Sequence, residues 1–387
     1  MDYYSANLKL CASVQSGLEA VLKREMTANG LFCEGAINGR IPFQGTLKDV
    51  ARANMFLRTA SRVFIILASF KADTFDTLYE EISVIPWEDI IPNGQGITVL
   101  AKVLKSTLMA PSSVQSITKK AIAARIMKRK NLTRLPETEN NLVVEISINS
   151  DIVTVFLDTS GESLHKRGYR TYVGRAPLRE TLAAGIILLS YWKDDRVLLD
   201  PFTGSGTIPI EAALIGNEIA PGINRHFAYE SFPGGKEIFE NTIEEAKSLI
   251  KDKQLRIYGY DIDPKAIGLA VKHAEGAGVS KYIHFQKADM RSFSSRFSHG
   301  IIITNPPYGE RLNEGDIGLL YRDFFKMYES LDSWSAYILS SFKDTEKSFG
   351  KRADKKRKLY NSEIECNLFQ YFGAAPKKTI LKDSMAD

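Results

Sequence analysis

The sequence predicts two regions of different fold class: an α/β domain with a doubly wound, mostly parallel sheet, preceded by an α+β region built on antiparallel strands. In the second half of the chain, short apolar strand patterns alternate with helical patterns, which implies parallel strands covered by helices. In the first half, paired strand patterns flank short polar turns such as Asn38-Gly39, which are typical of hairpins. Two consecutive strand patterns close the chain and predict one antiparallel strand at the edge of the second sheet.

The first region alternates strands and helices at short spacing. Ser16 and Glu19 have the spacing of a capping box and predict a helix that starts there and ends near Asn29. Pro111 predicts the first residue of a long helix. The predicted strands are residues 4–14, 32–37, 40–43, 62–70, 97–104, 142–148 and 152–157, and the further helices are residues 47–56, 73–84 and 111–130.

The second region begins after a loop near residue 161, and its strands and helices follow one another in turn. Its predicted strands are residues 196–199, 255–260, 282–286, 300–303, 335–339, 355–360 and 363–371. Its predicted helices are residues 177–192, 206–216, 264–276 and 317–330. Residues 217–232 interrupt this alternation, so we interpret them as an inserted segment.

Composition excludes several classes of protein. The 387 residues are 44% hydrophobic and 25% charged, as in ordinary globular proteins. The N-terminus lacks a signal-peptide pattern, and the longest apolar stretch is about half as long as a membrane span. The three cysteines have no CxxC spacing and the five histidines have no ligand spacing, so we expect no disulfide framework and no metal site. A reducing, cytoplasmic location is expected.

A glycine-rich loop follows the first buried strand of the second region. Its residues are Asp200, Pro201, Phe202, Thr203, Gly204, Ser205, Gly206 and Thr207. Loops at this end of a parallel strand hold ligands over the N-terminus of the next helix, and the glycines let a ligand approach the backbone. Pro209 stands where a dinucleotide motif needs its third glycine, and no GK[ST] follows, so both kinds of pyrophosphate site are excluded.

Acidic residues stand at the ends of the next two strands. Asp261 is expected to accept hydrogen bonds from both ribose hydroxyls of a nucleoside cofactor, with Ile262 in the same site, while Asp263 caps the following helix. Asp289 could accept a hydrogen bond from an adenine amino group while Met290 packs on the ring.

The sequence Asn305-Pro306-Pro307-Tyr308 follows another buried strand. An exocyclic amino nitrogen of a base is a poor nucleophile, because its lone pair is delocalised into the ring. Acceptors such as the Asn305 side-chain oxygen and the Pro306 carbonyl can bond its two protons, Pro307 fixes the backbone, and Tyr308 can stack on a base taken out of its helix. Together with the glycine loop, this predicts methyl transfer from S-adenosylmethionine to an exocyclic amino group by positioning and electrostatics.

Basic residues cluster in two places, although the net charge is only +5. The second cluster lies within residues 351–358. A single such patch is more typical of a solvated surface, but two beside base-methylation motifs favour phosphate binding. The first cluster lies on the predicted long helix, and its predicted RNA contacts are Lys119, Lys120, Arg125, Lys128, Arg129 and Lys130.

These motifs resemble those of the THUMP-domain class I methyltransferases that act on structured RNA, and especially the bacterial family that methylates guanine N2 in 23S ribosomal RNA. Residues 164–170 (LHKRGYR) and 176–184 (APLRETLAA) resemble the segment that precedes the glycine loop in that family. The resemblance implies that residues 175–181, among them Arg175, Pro177 and Thr181, close over the methionine end of S-adenosylmethionine.

The resemblance covers essentially the whole chain. It implies a ferredoxin-like unit at residues 1–60, a THUMP RNA-binding domain at 61–160 and, at 161–387, a Rossmann-like methyltransferase domain with a seven-stranded sheet. The implied partner is 23S ribosomal RNA or a large-subunit assembly intermediate. Bifunctional relatives carry a second methyltransferase domain, and we expect this chain to end too early for one.

Other functions stay open on the sequence. A tRNA guanine-N2 methyltransferase could use the same modules. An adenine-N6 DNA methyltransferase shares Asn305–Tyr308 but would need a target-recognition domain, and release-factor glutamine methyltransferases share the same four residues. A non-catalytic RNA-binding factor is disfavoured, because a pure binder needs no loop that clamps an amine.

Overall fold

The computed structural model describes residues 3–37, 39–136, 141–170, 178–307 and 314–375. These residues form two compact units: the first comprises the described residues of Met1–Gly168 together with Glu218–Lys251, and the second comprises those of Tyr169–Asn217 and Asp252–Asp387. Within the described ranges, no helix has the length and apolar character needed to cross a membrane. Nor do these ranges contain three or more His, Cys, Asp or Glu side chains grouped to hold a metal ion.

The first unit contains a six-stranded sheet in the order β2-β1-β3-β6-β5-β4. Its strands are β1 (Leu8–Val14), β2 (Arg40–Gly45), β3 (Ala60–Lys71), β4 (Ile97–Leu104), β5 (Leu142–Asn149) and β6 (Ile152–Asp158), and its helices are α1 (Glu19–Ala28), α2 (Leu47–Phe56), α3 (Phe75–Val84), α4 (Trp87–Ile90) and α5 (Pro111–Lys130). The prediction of antiparallel strands is confirmed for the other pairs of this sheet, whereas β4 and β5 pair in parallel. The central strand β3 pairs with both β1 and β6, so residues on both sides of position 60 share one sheet. The predicted domain boundaries at residues 60 and 160 stay predictions.

Three predicted elements of this unit differ in the structure. Helix α1 begins at Glu19 rather than after Ser16, because Gly17 adopts φ +91°, which an α-helix cannot contain, and its N–H donates to the Glu19 carboxylate instead (2.8 Å). Strand β1 begins only at Leu8, after a short 3₁₀ turn. Residues 32–37 form two isolated bridges to β2 rather than a strand, since this segment is mostly exposed and has no buried face to pack.

The second unit contains a seven-stranded sheet in the order β12-β13-β11-β10-β7-β8-β9. Its strands are β7 (Leu198–Asp200), β8 (Ile257–Asp261), β9 (Ile283–Lys287), β10 (Ile301–Thr304), β11 (Ser335–Ser340), β12 (Lys355–Asn361) and β13 (Ile364–Tyr371), and the remaining helices of the chain are α6 (Glu180–Leu189), α7 (Thr207–Gly216), α8 (Gly235–Ser248), α9 (Pro264–Gly276), α10 (Glu314–Glu329) and α11 (Thr345–Phe349). The predicted doubly wound, mostly parallel sheet is confirmed. Its antiparallel member is β13, the second strand from the edge, which pairs with both β11 and β12. The strand order reverses between β7 and β10, where open α/β sheets bind ligands.

The inserted segment belongs to the first unit, although it lies in sequence between α7 and β8 of the second. It extends beyond the predicted residues 217–232 and includes helix α8, which packs against α2 and carries an ion pair from Glu245 to Arg52 (2.6 Å). Arg225 anchors the segment, because its guanidinium donates to four backbone carbonyls, those of Ser160, Glu162, Ser163 and Lys166 (2.6–3.3 Å). The alternation of the second unit is therefore interrupted by a segment that stabilises the first.

Candidate active site

A cavity of about 750 Å³ lies at the carboxyl ends of the central strands of the second unit. Eight of the predicted site residues line it: Pro201, Gly204, Asp261, Ile262, Asp289, Met290, Asn305 and Pro307. The prediction assigned no ligand contact to the other lining residues, Phe202, Asp263, Ala266, Arg291, Asp316, Leu319 and Leu320. Three of these residues lie on α10, whose amphipathic pattern carries no signal that separates a cavity-facing position from an ordinary surface one.

The glycine loop is fixed to the end of β8. The Thr203 N–H donates to the Tyr260 carbonyl (2.8 Å), and the Gly204 N–H donates to the Asp261 carboxylate (2.9 Å). Gly206 adopts φ +83°, and a Cβ there would lie 2.9 Å from the Cβ of Ala270, so only glycine fits between the loop and α9. The loop therefore presents its backbone to the cavity immediately before α7 begins.

Asp261 is held by backbone donors on both of its oxygens. One oxygen accepts from Gly204 and the other from the N–H of Asp263 (both 2.9 Å). Asp263 caps α9 as predicted, by accepting from the Lys265 N–H (2.8 Å). Each Asp261 oxygen retains further acceptor capacity, and the residue lines the cavity, so the carboxylate has acceptor positions available for a ligand.

Aliphatic side chains that follow β8 and lie on α10 give part of the cavity an apolar lining. Ile262 is 69% exposed and Leu319 is 54% exposed, although both are aliphatic residues that line the cavity. Met290, which follows β9, also lines the cavity and is buried. Asp289 accepts from the Arg291 N–H (2.9 Å) and pairs with its guanidinium (2.8 Å), so part of its acceptor capacity is already used.

A buried hydrogen bond joins the strand ends that precede the glycine loop and Asn305. Asp200 ends β7 and Thr304 ends β10, and the Thr304 hydroxyl donates to the Asp200 carboxylate (2.6 Å), which also accepts from the Phe202 N–H (3.2 Å). Burial raises the pKa of Asp200 to about 7. Asp200 does not line the cavity; it connects the strand ends from which the glycine loop and the Asn305 loop begin.

Asn305 presents an unused acceptor. The residue lines the cavity, and its Oδ1 is buried and has no hydrogen-bond partner among the residues that the structure describes. Buried polar atoms are nearly always bonded, so an unpaired one beside a cavity indicates a donor supplied by a ligand. Pro306 is buried next to it, whereas Tyr308 lies outside the described residues.

The other predicted cofactor residues lie around the loop rather than along the cavity. Thr181 and Thr203 are buried, and the Ser205 carbonyl accepts from His273 (3.1 Å). The Thr207 hydroxyl accepts from Arg170 (2.5 Å), whose guanidinium also pairs with Glu180 (3.3 Å), so the segment predicted to precede the loop is tied to the start of α7. Arg175 and Pro177 lie outside the described residues.

We expect the Asp200→Asn variant to respond differently to pH from the unmodified chain. Because the folded-state pKa of about 7 lies above the unfolded value of about 3.9, the contribution of Asp200 to stability is fully present below pH ~4 and is lost as the pH rises through 7. The introduced amide cannot ionise, and its oxygen can still accept from Thr304. The free energy of unfolding of the variant relative to the unmodified chain should therefore rise between pH 5 and pH 8, by on the order of 2–4 kcal/mol. Urea unfolding of both proteins at pH 5 and pH 8 measures this change. The same stability difference at the two pH values would contradict a raised pKa of Asp200 in the folded protein.

The predicted RNA-binding residues lie on α5 of the first unit and divide into two groups. Lys119, Lys120, Lys128 and Arg129 are exposed. Arg125 instead makes two hydrogen bonds to Glu88 (2.7 and 2.9 Å) and one to the Ser83 carbonyl, and the bond from Arg125 lowers the pKa of Glu88 to about 2. Lys130 donates to the Ile91 carbonyl and to Asn93. These two residues attach the helix to its unit. The four exposed residues present charge to solvent, although Arg129 also pairs with Glu88 (3.5 Å).

Three family descriptions match consecutive parts of the chain. An RlmL ferredoxin-like domain matches residues 9–64, a THUMP domain matches residues 72–158, and an RMKL-like methyltransferase domain matches residues 167–370. YpsC of Bacillus subtilis (strain 168), provisionally named an RNA methyltransferase, is 40% identical over 94% of this chain and 95% of its own length. The ribosomal RNA large subunit methyltransferase K/L of Syntrophotalea carbinolica is 34% identical over 95% of this chain and 54% of its own length. The chain thus spans about half the length of the K/L relatives that it matches.

Two solved structures are similar over nearly the whole chain. SMU.472, provisionally described as a methyltransferase and solved in complex with SAH, has a TM-score of 0.90 and 39% identity over 96% of this chain and 99% of its own. A Listeria monocytogenes protein, provisionally described as an N6-adenine-specific DNA methylase, has a TM-score of 0.90 and 42% identity over 95% of this chain and 97% of its own.

Proposed function

This chain belongs to the family of RMKL-like methyltransferases, and we propose that it methylates the exocyclic amino group of a base in structured RNA, with guanine N2 of 23S ribosomal RNA as the target. The observation that carries the chemistry is the buried, unpaired Oδ1 of Asn305 beside the cavity. RNA as the substrate is supported by the THUMP domain, the exposed basic residues of α5 and the names of the K/L relatives. The proposed setting is the cytoplasm, where ribosomal RNA is found.

The cofactor is S-adenosylmethionine, as the family and the related SAH complex establish. The described residues fit it: the Gly204 backbone and the Asp261 carboxylate would hold its ribose and amino-acid portion, and Ile262 and Met290 would flank its adenine. When bound, the cofactor supplies an electrophilic methyl group on a sulfonium.

The protein's own contribution is to position the amine and redistribute its electrons. Asn305 Oδ1 and the Pro306 carbonyl accept hydrogen bonds from the two amino protons, which favours lone-pair character on the nitrogen. The Asp200–Thr304 hydrogen bond would hold the Asn305 loop at a fixed distance from the glycine loop. A fixed distance is what an in-line transfer between two bound groups requires.

The proposal is tested by offering labelled S-adenosylmethionine with unmodified 23S ribosomal RNA, tRNA and duplex DNA, and by identifying the labelled nucleoside. We expect N2-methylguanine in 23S RNA. Labelled N2-methylguanine in tRNA alone would show that tRNA, and not 23S RNA, is the substrate. Label in N6-methyladenine of DNA with none in RNA would overturn the proposal in favour of the adenine-N6 alternative.

The exposed residues of α5 predict a salt-dependent RNA contact. Replacing Lys119, Lys120 and Lys128 by alanine should weaken RNA binding and reduce the slope of log affinity against log salt by about 0.7–0.9 for each lost phosphate contact. Lys236, Lys251 and Lys265 are exposed lysines outside α5, and their triple alanine variant is the matched control. An equal effect in both variants, or none in the first, would contradict an RNA contact at α5.

A further inference from the structure

The six-stranded sheet of the first unit has two chemically different faces. Cross-strand partners share a face, so the register places the fully buried Leu10 and Ile65 together on the side that packs against helices. Cys11, Phe156 and Ser147 lie on the opposite face. The residues that pair with them in the register extend this face across all six strands. We call this second side the open face.

A cavity of about 560 Å³ lies on the open face. Its lining is mixed: Ile152 and Phe156 are apolar, and hydrogen-bonding groups come from Ser13, Ser147, Asn149 and Thr154. Cationic groups come from Arg40 and Lys102. A concave site with a few convergent polar groups among apolar walls is the usual form of a ligand site.

Arg40 is a lining residue of this cavity. Its guanidinium sits over the Phe156 ring (4.0 Å to the centroid) and near that of Phe64 (4.8 Å), and it pairs with the buried carboxylate of Glu145, which also accepts from Lys102 (3.0 Å). Its Nη1 is buried and has no hydrogen-bond partner within the described part of the chain. The Arg40 side chain lines the cavity and is 17% exposed. A planar cation can stack on a flat ligand, and an unpaired N–H is an available donor.

The charges of the open face favour an anionic partner. The strands place five cations on it (Lys9, Arg40, Arg62, Lys71 and Lys102) against two carboxylates, those of Glu145 and Asp158, and both carboxylates are already in ion pairs. Three exposed aliphatic side chains share the face: Leu100 (44% exposed), Leu104 (59%) and Ile152 (47%). A polyanion that also carries flat apolar rings satisfies both features, and unpaired nucleic acid is such a ligand, whereas a duplex hides its base faces.

We propose that the open face binds an unpaired segment of RNA, with one base stacked on the Arg40 guanidinium and neighbouring phosphates near Lys71 and Lys102. This rests on the proposed function, in which the substrate is RNA. The open face is separate from the exposed residues of α5, so the first unit would hold structured RNA at the helix and an adjoining single strand at the sheet.

The first test separates the open face from the rest of the unit. Fluorescence anisotropy on the full chain measures binding of a ten-nucleotide single-stranded RNA and of a duplex RNA of the same length. The double variant Lys71→Ala/Lys102→Ala leaves the Arg40–Glu145 pair in place and should weaken single-strand binding about tenfold or more, with duplex binding much less affected. The matched control is Lys23→Ala/Lys48→Ala on α1 and α2, two exposed lysines of the helical side, and it should change neither affinity. Equal losses in both variants, or an unchanged affinity in the first, would overturn the proposal.

The second test isolates the stacked base. Arg40→Lys keeps a cation beside Glu145 but removes the planar group, so the preference of the chain for the RNA over an abasic strand of the same length should fall about tenfold. An unchanged preference, or binding of polyglutamate as tight as that of RNA, would overturn base stacking at Arg40. Normal methylation of RNA together with such a result would refute the open-face site alone, whereas absence of RNA methylation by the unmodified chain would refute the proposed function.

Discussion

Replacing Asn305 by alanine should abolish methyl transfer while leaving the affinity for S-adenosylmethionine nearly unchanged. The Asn305 Oδ1 is buried and unpaired, so its removal costs the folded protein no hydrogen bond within the described residues. It removes an acceptor that would polarise the target amine, and losing one such preorganised group typically lowers kcat by about 10²–10³-fold. The hydrogen bonds that hold the glycine loop involve Asp261 and Tyr260, and this substitution does not touch them.

Single-turnover methylation and a separate measurement of cofactor binding test this prediction. Asn305→Asp is the matched variant, because it keeps acceptor oxygens of the same size at the same place and should retain more activity than Asn305→Ala. A large loss of cofactor affinity in Asn305→Ala would mean that this loop binds the cofactor rather than the amine. Equal activity in the two variants would mean that the acceptor oxygen does not act on the target.

The elements that the sequence predicted best are those whose signal is local. The helix of Pro264–Gly276 begins with a capping aspartate and a proline, and the structure gives it the predicted bounds. The cofactor was predicted from local motifs such as residues 200–207, and the family from these motifs together with residues 164–170, residues 176–184 and the N-terminal region; both predictions are confirmed. The roles assigned to the individual site residues stay predictions.

The features that the sequence did not reveal depend on tertiary contacts. Nothing local marks Asp200 as a buried partner of Thr304, because the two residues are over a hundred positions apart and meet only when β7 and β10 pair. Arg225 likewise stands in a segment that looked like an interruption of the second region, yet it bonds four carbonyls of the first unit. Arg125 belongs to a run of basic residues, and only the folded structure shows that it makes two hydrogen bonds to Glu88 and one to the Ser83 carbonyl.

Replacing Asp261 by alanine should weaken S-adenosylmethionine binding by about 100-fold or more. Hydrogen bonds to a charged acceptor contribute about 1.5–3 kcal/mol each, and we expect the carboxylate to accept two of them from the ribose hydroxyls. The same substitution releases the Gly204 N–H, so the glycine loop loses one of its two hydrogen bonds to the end of β8 and keeps the one from Thr203 to Tyr260. Asp261→Asn should be intermediate, because an amide can still accept with one oxygen.

Asp263→Ala separates this effect from a general loss of structure. Asp263 stands two residues away, and its side chain accepts from the Lys265 N–H at the start of α9, so its removal should cost about 1 kcal/mol of stability as the loss of a helix cap. Its effect on cofactor affinity should be several-fold at most, since it does not hold the glycine loop. Calorimetric titration of both variants, with thermal unfolding beside it, measures the two effects. Equal losses of affinity in Asp261→Ala and Asp263→Ala would show that both substitutions disturb the structure at the end of β8. The Asp261 carboxylate would then not be a ribose ligand.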